Sequence, residues 1–273
     1  MFNGARLLLR FWGVRGSIPC PDPTMARYGG NTACVEVRCG DDTIIFDGGT
    51  GLRPLGSALL KSGQPIRANI LYSHCHVDHV YGLPFFAPVD LPTTNLRLWS
   101  ANAAPDCDLK ETLGRIFGDT IAKFACAIDF HDFLPGETLV LRPDIIVHTG
   151  PLNHPGGATG YRLEYDGHAI AYVTDTEHRP NVLDENVVRL ARNADLLIYD
   201  CTYTQAEFLA RVGWGHSTWQ EGIRLAEAAS ARRLAIFHHD PAHDDNFLDR
   251  IGAEAAAARP GTFVAYEGAT IRF

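Results

Sequence analysis

The segment Ser73-His74-Cys75-His76-Val77-Asp78-His79 constrains this chain more than any other part of it. It follows directly on Ala68-Asn69-Ile70-Leu71-Tyr72, an apolar run with the makeup of a buried strand. In extended chain, imidazoles at i and i+2 project to one side. A turn that brings Asp78 and His79 alongside then gathers nitrogen and oxygen donors around one small volume. A lone histidine is ordinarily structural, and His131, His148 and His168 are read that way. Donors packed this densely at a strand end predict a metal site.

Such a cluster offers more donors than one tetrahedral ion with an open position needs, so a pair of metals is expected, with further ligands from distant parts of the chain. The sequence offers three candidates, each beside an apolar run: His154 in Pro151-Leu152-Asn153-His154-Pro155-Gly156-Gly157, Asp175, and His238. His239 is an alternative to His238, because Phe237-His238-His239-Asp240-Pro241 permits a slip of one residue.

Short apolar, β-branched runs at 35–37, 43–46, 68–72, 96–99, 145–147, 161–164, 169–173, 196–199 and 234–237 predict strands. Asp166-Gly167 marks a tight hairpin. Between the strands, Thr218 with Glu221 reads as a capping box that starts a helix just after His216. Further helices are expected over 244–260, 183–192 and 106–117. Strands and helices interleave and no linker interrupts them, so a single α/β domain spanning 1–273 is predicted, with sheets and helices in layers.

The formal net charge of -8 provides no basic field to hold a long phosphate backbone, so long nucleic acid is not an expected partner. The cysteines (Cys20, Cys34, Cys39, Cys75, Cys107, Cys126, Cys201) are odd in number and never form CxxC, which fits free thiols in a reducing compartment. Leu7-Leu8-Leu9 is too short for a signal or a membrane span, so a cytoplasmic location is expected. A homo-oligomer is compatible with all of this.

His74, His76, Asp78 and His79, followed by His154, Asp175 and His238, stand in an order that resembles the metallo-β-lactamase superfamily. The resemblance implies a four-layer αββα sandwich with the site at one edge of the packed sheets. It also implies that His74, His76 and His154 hold one metal and Asp78, His79 and His238 the other, with Asp175 bridging. Asp47 in Phe46-Asp47-Gly48-Gly49 is similar to the family's early Asp-Gly turn and would orient a histidine. Gly215-His216-Ser217-Thr218 resembles the phosphodiesterase, ribonuclease Z-like branch, in which this histidine assists departure of the leaving oxygen. His216 also stands just before a helix start, where a phosphate is favoured. Residues 11–19 and 27–32 are similar to bacterial members of that branch, including some that act on cyclic nucleotides, and make Arg15, Arg27 and Asn31 candidate substrate contacts.

Thr176 lies only twenty positions after Gly156, and the residues between read as a plain hairpin rather than the long tRNA-gripping arm of ribonuclease Z. Residues 81–131, with Phe85, Phe86, Phe117 and Phe124, read as a cover over the site. Cys75, inside the metal motif, is a soft neighbour or an adventitious ligand. The resemblance therefore implies a dinuclear hydrolase acting on a small phosphodiester such as a cyclic nucleotide. Its cofactors would be two divalent ions, zinc first, with manganese, iron or nickel open. In this reading the metals activate water, Asp78 accepts its proton and His216 protonates the leaving oxygen. The rivals are a thioester, lactone or β-lactam hydrolase on the same fold, an iron redox protein, and a noncatalytic sensor that binds nucleotide.

Overall fold

The protein is described by a computed structural model that covers residues 7–101 and 108–273. Cys107 and the beginning of the helix expected over 106–117 fall outside the described residues. In chain order the strands are β1 (Leu7–Gly13), β2 (Cys34–Cys39), β3 (Asp42–Phe46), β4 (Arg67–Leu71), β5 (Asn95–Ala101), β6 (Ala127–Phe133) and β7 (Thr138–Arg142). They continue with β8 (Ile145–Leu152), β9 (Ala158–Tyr165), β10 (His168–Val173), β11 (Leu196–Asp200), β12 (Leu234–Phe237), β13 (Thr262–Val264) and β14 (Thr270–Arg272). The helices are α1 (Leu52–Leu60), α2 (Val77–Val80), α3 (Leu109–Phe117), α4 (Glu185–Ala191), α5 (Gln205–Leu209), α6 (Trp219–Ala228) and α7 (Asp245–Ala258).

The strands form two seven-stranded sheets, ordered β14-β1-β2-β3-β4-β5-β6 and β13-β12-β11-β10-β9-β8-β7. Alternation within each strand decides how they stack. Val35, Val37, Ile44 and Phe46 of the first sheet meet Val147, Leu163, Ile170, Tyr172 and Phe237 of the second in one buried cluster. The opposite face of the second sheet, with Ala171, Val173 and Leu197, packs on Leu190, Leu225 and Leu248 from α4, α6 and α7. The opposite face of the first, with Ile45 and Ile70, packs on Leu55 and Leu113 from α1 and α3. Strands buried on both faces read as continuous apolar runs, which is why these were legible in the sequence. The order helix, sheet, sheet, helix gives the four-layer sandwich that was expected.

The Asp166-Gly167 turn closes the β9–β10 hairpin, with Tyr165 opposite His168. Thr218 caps α6 by accepting from the Glu221 amide, but the Glu221 carboxylate turns to Arg224, so only half of the expected box forms. A complete capping box occurs instead at Thr204 and Glu207, at the head of α5.

The stretch 81–131 is not a separate cover. It contributes β5, α3 and part of β6, and Phe86 is fully buried in the core under the first sheet. Phe117 and Phe124 pack against that core, and Phe85 alone is exposed. No helix among the described residues is long and apolar enough to cross a membrane. Cys34, Cys39 and Cys201 are buried, and Cys20, Cys75 and Cys126 are half-buried.

Candidate metal centre

β3 and β4 run parallel, as do β10, β11 and β12, and β8 is antiparallel to β9, which is antiparallel to β10. Within each sheet, therefore, the C-terminal ends of β3 and β4, and those of β8, β10, β11 and β12, point the same way. At those ends stand Asp47, the segment from Ser73 to His79, His154, Asp175, Asp200 and His238. Residues separated by up to 191 positions, Asp47 to His238, meet because strand polarity, not sequence proximity, brings them together.

His74, His76 and His154 form one donor group, and Asp78, His79 and His238 another, with the candidate ligand atoms of each group within 4.8 Å of one another. Asp175 reaches toward both. Its Oδ1 is 3.8 Å from His74 Nε2, and its Oδ2 is 3.2 Å from His79 Nε2 and 3.3 Å from His238 Nε2. Asp78 Oδ2 lies 3.2 Å from His79 Nε2 and 3.4 Å from His238 Nε2. His76 Nδ1 and His154 Nε2 face each other at 3.2 Å. His238, not His239, joins the cluster; the His239 ring turns away and its Nε2 donates to the Ala265 carbonyl at 2.8 Å.

The rear of four of the rings is held. Asp47, fully buried, accepts from Ser73 N at 2.7 Å, Ser73 Oγ at 2.8 Å, His79 Nδ1 at 2.8 Å and Tyr172 OH at 2.7 Å. The Ser73 hydroxyl has one proton and gives it to Asp47, so at 3.0 Å it accepts from His74 Nδ1. His154 Nδ1 donates to the Gly215 carbonyl at 3.0 Å. His238 Nδ1 donates to Thr202 Oγ1 at 3.1 Å, whose proton faces Asp200 and the His238 carbonyl. These bonds set the tautomers and aim the Nε2 atoms inward.

Inside, the Nε2 atoms of His74, His79 and His238 are buried and have no hydrogen-bond partner among the described residues. Buried nitrogens left in this state beside two carboxylates are costly unless a cation lies among them. The donor set, imidazole with carboxylate, fits divalent transition metals. The charge distribution agrees. Burial, then the neighbouring histidines, pushes His74 well down, and burial lowers His76 and His154, so these rings are neutral and free to ligate. Burial alone would raise the Asp78 and Asp175 carboxyls, but the surrounding histidines outweigh it and hold both well below the usual carboxylate range. For His79 burial is overcome by Asp78, Asp175 and Asp47, which push it well above the ordinary value. The cluster therefore holds positive charge on its own imidazole, which a bound cation would replace.

The backbone is bent to make this possible. Asp47, Asp175 and His238 all adopt positive φ (59°, 55° and 63°), a conformation that costs side-chain-bearing residues about 1–3 kcal/mol and that concentrates at functional sites. The loop after β1 closes the wall. Gly16 lies where a Cβ would come within 2.5 Å of the His238 ring, and Ser17 N donates to Asp78 Oδ2 at 2.7 Å.

His216 stands beside the cluster, its side chain 12% exposed. Its ring stacks on His238 at 5.0 Å, and its Nδ1 donates to Asp200 Oδ2 at 2.9 Å. Asp200 is fully buried, and its Oδ1 is fixed by the amide and hydroxyl of Thr202 and the amide of Ser217. Burial disfavours charge on His216, but Asp200, then Asp175 and Asp78, outweigh it and raise the ring to about 9. Asp200 was missed in the sequence. Its signal was the one shared by Asp47 and Asp175, an acidic residue at or just after the end of an apolar strand.

The candidate substrate contacts have other partners. Arg15 is fully buried, with its guanidinium donating to the backbone carbonyls of Gly29, Asp240 and His243. Asn31 Nδ2 donates to Glu267 Oε2 at 3.0 Å. Arg27 pairs on the surface with Asp249 at 2.8 Å. All three knit the loops behind the centre to the C-terminal part of the chain rather than presenting to a ligand.

Residues 42–239 match a family model described as the beta-lactamase superfamily domain. Among curated relatives, the chain is 27% identical to a ribonuclease Z of Acaryochloris marina over 82% of this chain and 85% of that protein. It is 22% identical to a ribonuclease Z of Myxococcus xanthus over 97% of both. Among solved structures, the metallo-beta-lactamase fold protein YhfI from Bacillus subtilis superposes with a TM-score of 0.74 at 19% identity, covering 99% of this chain and 100% of that one. The short form of human tRNase Z superposes with a TM-score of 0.70 at 20% identity, covering 97% and 98%.

Proposed function

The chain belongs to the beta-lactamase superfamily, and on that premise we propose that it hydrolyses a small phosphodiester, of the size of a cyclic nucleotide. His74, His76 and His154 would hold one divalent ion, Asp78, His79 and His238 a second, and Asp175 would touch both. Such ions, zinc first and manganese or iron by the same donor chemistry, supply water with a lowered pKa and positive charge toward phosphoryl oxygens.

The chain's own residues do the rest. Asp78, kept ionised by His79 and His238, accepts the proton of the attacking water. His216 carries the reading. Its Nδ1 is tied to the buried Asp200 carboxylate, which favours the protonated ring, and the ring stacks on His238 at the edge of the donor cluster. That arrangement delivers a proton to a departing oxygen. Alkoxide leaving groups need one, whereas a thiolate, with its pKa of about 8.5, departs without help. The relatives named ribonuclease Z support phosphorus esters over thioesters.

A small substrate is favoured over RNA by two features. The hairpin between His154 and Asp175 closes in a two-residue turn and carries no gripping arm, and the net charge is -8. The test is a panel of metal-loaded assays on bis(p-nitrophenyl) phosphate, cyclic nucleotides, precursor tRNA, thioesters and lactones. Turnover confined to phosphodiesters, with cyclic nucleotides ahead of tRNA, is expected. Turnover of thioesters or lactones alone would overturn the proposal, and tRNA ahead of small diesters would overturn its substrate.

A further inference from the structure

His216 has its ring fixed by Asp200, but a ring is placed only as well as the backbone that carries it. The preceding loop, residues 211–215, belongs to no helix or strand, and Gly213 and Gly215 both adopt positive φ (90° and 87°). One carboxylate oxygen takes two of its amides. Glu177 Oε2 accepts from Gly213 N at 2.7 Å and from Gly215 N at 3.0 Å. Glu177 is itself held on both sides of its peptide, since its N–H donates to the Asn153 carbonyl at 2.8 Å and its carbonyl accepts from Asn153 Nδ2 at 2.7 Å.

The next residue after Asn153 is His154, whose Nδ1 donates to the Gly215 carbonyl. Asn153, Glu177, the 213–215 loop and His154 thus close a ring of hydrogen bonds. The loop seats tightly on the centre, for a Cβ on Gly215 would come within 2.2 Å of His154 Nδ1. None of these contacts adds a ligand to the cluster.

We infer that Glu177 is a positioning residue, holding the 213–215 loop so that His216 keeps its register over the donor cluster while the leaving oxygen departs. The inference rests on the phosphodiester reading and adds to it the device that aligns the acid. Two charge-assisted bonds from a side chain fixed by its own backbone suit this role, because they immobilise a glycine-rich segment that otherwise has wide conformational freedom.

The experiment compares Glu177→Ala, Glu177→Gln and wild type, at equal metal content, on diesters whose leaving group is either p-nitrophenoxide or an alkoxide. Amide hydrogen exchange of residues 213–215 is followed in parallel. General acid catalysis contributes about 10²–10⁴-fold, and misplacing the acid forfeits part of that. The loss in kcat for Glu177→Ala is expected to be about tenfold greater on the alkoxide substrate than on p-nitrophenoxide, with faster exchange at 213–215. Glu177→Gln keeps an acceptor oxygen and restores most of both. Equal losses on the two substrates, or unchanged exchange at 213–215, would overturn the inference while leaving the phosphodiester reading standing. A wild-type protein that cleaves no diester would overturn that reading and this one together. Should Glu177→Ala fail to fold, Glu177→Asp, which keeps the charge and withdraws the oxygen by one methylene, is expected to show the same leaving-group discrimination. Its absence there would overturn the inference equally.

Discussion

Replacing Asp47 by Asn tests whether the histidines are ligands oriented from behind. Asp47 receives four hydrogen bonds in a site with no solvent. Alanine at this position would strand the Ser73 amide, the Ser73 hydroxyl and the Tyr172 hydroxyl, at about 1–3 kcal/mol each. A sum of that size is comparable with the whole stability of a domain, about 5–15 kcal/mol. Asparagine is the cleaner perturbation. The Ser73 amide cannot invert, so the carbonyl oxygen of the new side chain must stay on it, and the NH₂ group takes the place of Oδ2. The NH₂ group carries two hydrogens for three partners; the Ser73 and Tyr172 hydroxyls can turn to accept, and His79 competes for one of them only by moving its proton from Nδ1 to Nε2. That places a proton on the nitrogen aimed at the centre. Loss of such supporting bonds lowers metal affinity by about 10–100-fold, or about 1.4–2.7 kcal/mol. The assay is zinc titration against a chromogenic chelator, with thermal denaturation of the metal-free protein as the control for folding. A weakened site in a folded protein is expected. Wild-type affinity in a folded Asp47→Asn protein would refute the reasoning.

Two further substitutions follow from the same geometry. His216→Ala is expected to keep its metal content by elemental analysis and to lose about 10²–10⁴-fold in kcat on alkoxide diesters, with a smaller loss on p-nitrophenyl esters; equal losses on both would remove His216 from proton transfer. Gly215→Ala introduces a methyl group 2.2 Å from His154 Nδ1 at a backbone φ of 87°, so one zinc should bind more weakly and turnover should fall with it. Unchanged zinc affinity, measured by the same chelator competition, would show that the loop does not press on His154.

How much of this was legible in the sequence depended on how local each signal was. The run from His74 to His79 announces itself because its donors are adjacent in the chain, and the strands buried on both faces stand out as continuous apolar segments. The edge strands β6, β7, β13 and β14 and the inner strand β1 were not expected; in β6 and β7 one face meets solvent. In β7, Leu139 and Leu141 are buried while Val140 is exposed, so no apolar run forms. β6 was absorbed into the supposed cover for the same reason. Asp200 was missed because a single aspartate after Leu196-Leu197-Ile198-Tyr199 looks like any strand-to-loop residue, and its partner His216 lies 16 positions on. Arg15 misled in the opposite direction. The resemblance of residues 11–19 to bacterial relatives made it a candidate substrate contact, yet its donors go to the backbone carbonyls of Gly29, Asp240 and His243, which only the folded chain brings near. Tyr172, from the second sheet, supports Asp47, from the first, and no spacing rule connects residues 125 positions apart.

The central claim, a two-ion centre that hydrolyses phosphodiesters, meets its most direct test in one titration. Metal-free protein is titrated with zinc while hydrolysis of bis(p-nitrophenyl) phosphate is recorded and bound zinc is measured by elemental analysis. The account predicts activity that rises to a plateau at two zinc ions per chain. A plateau at one ion, or no hydrolysis at any zinc content in a folded protein, would contradict it.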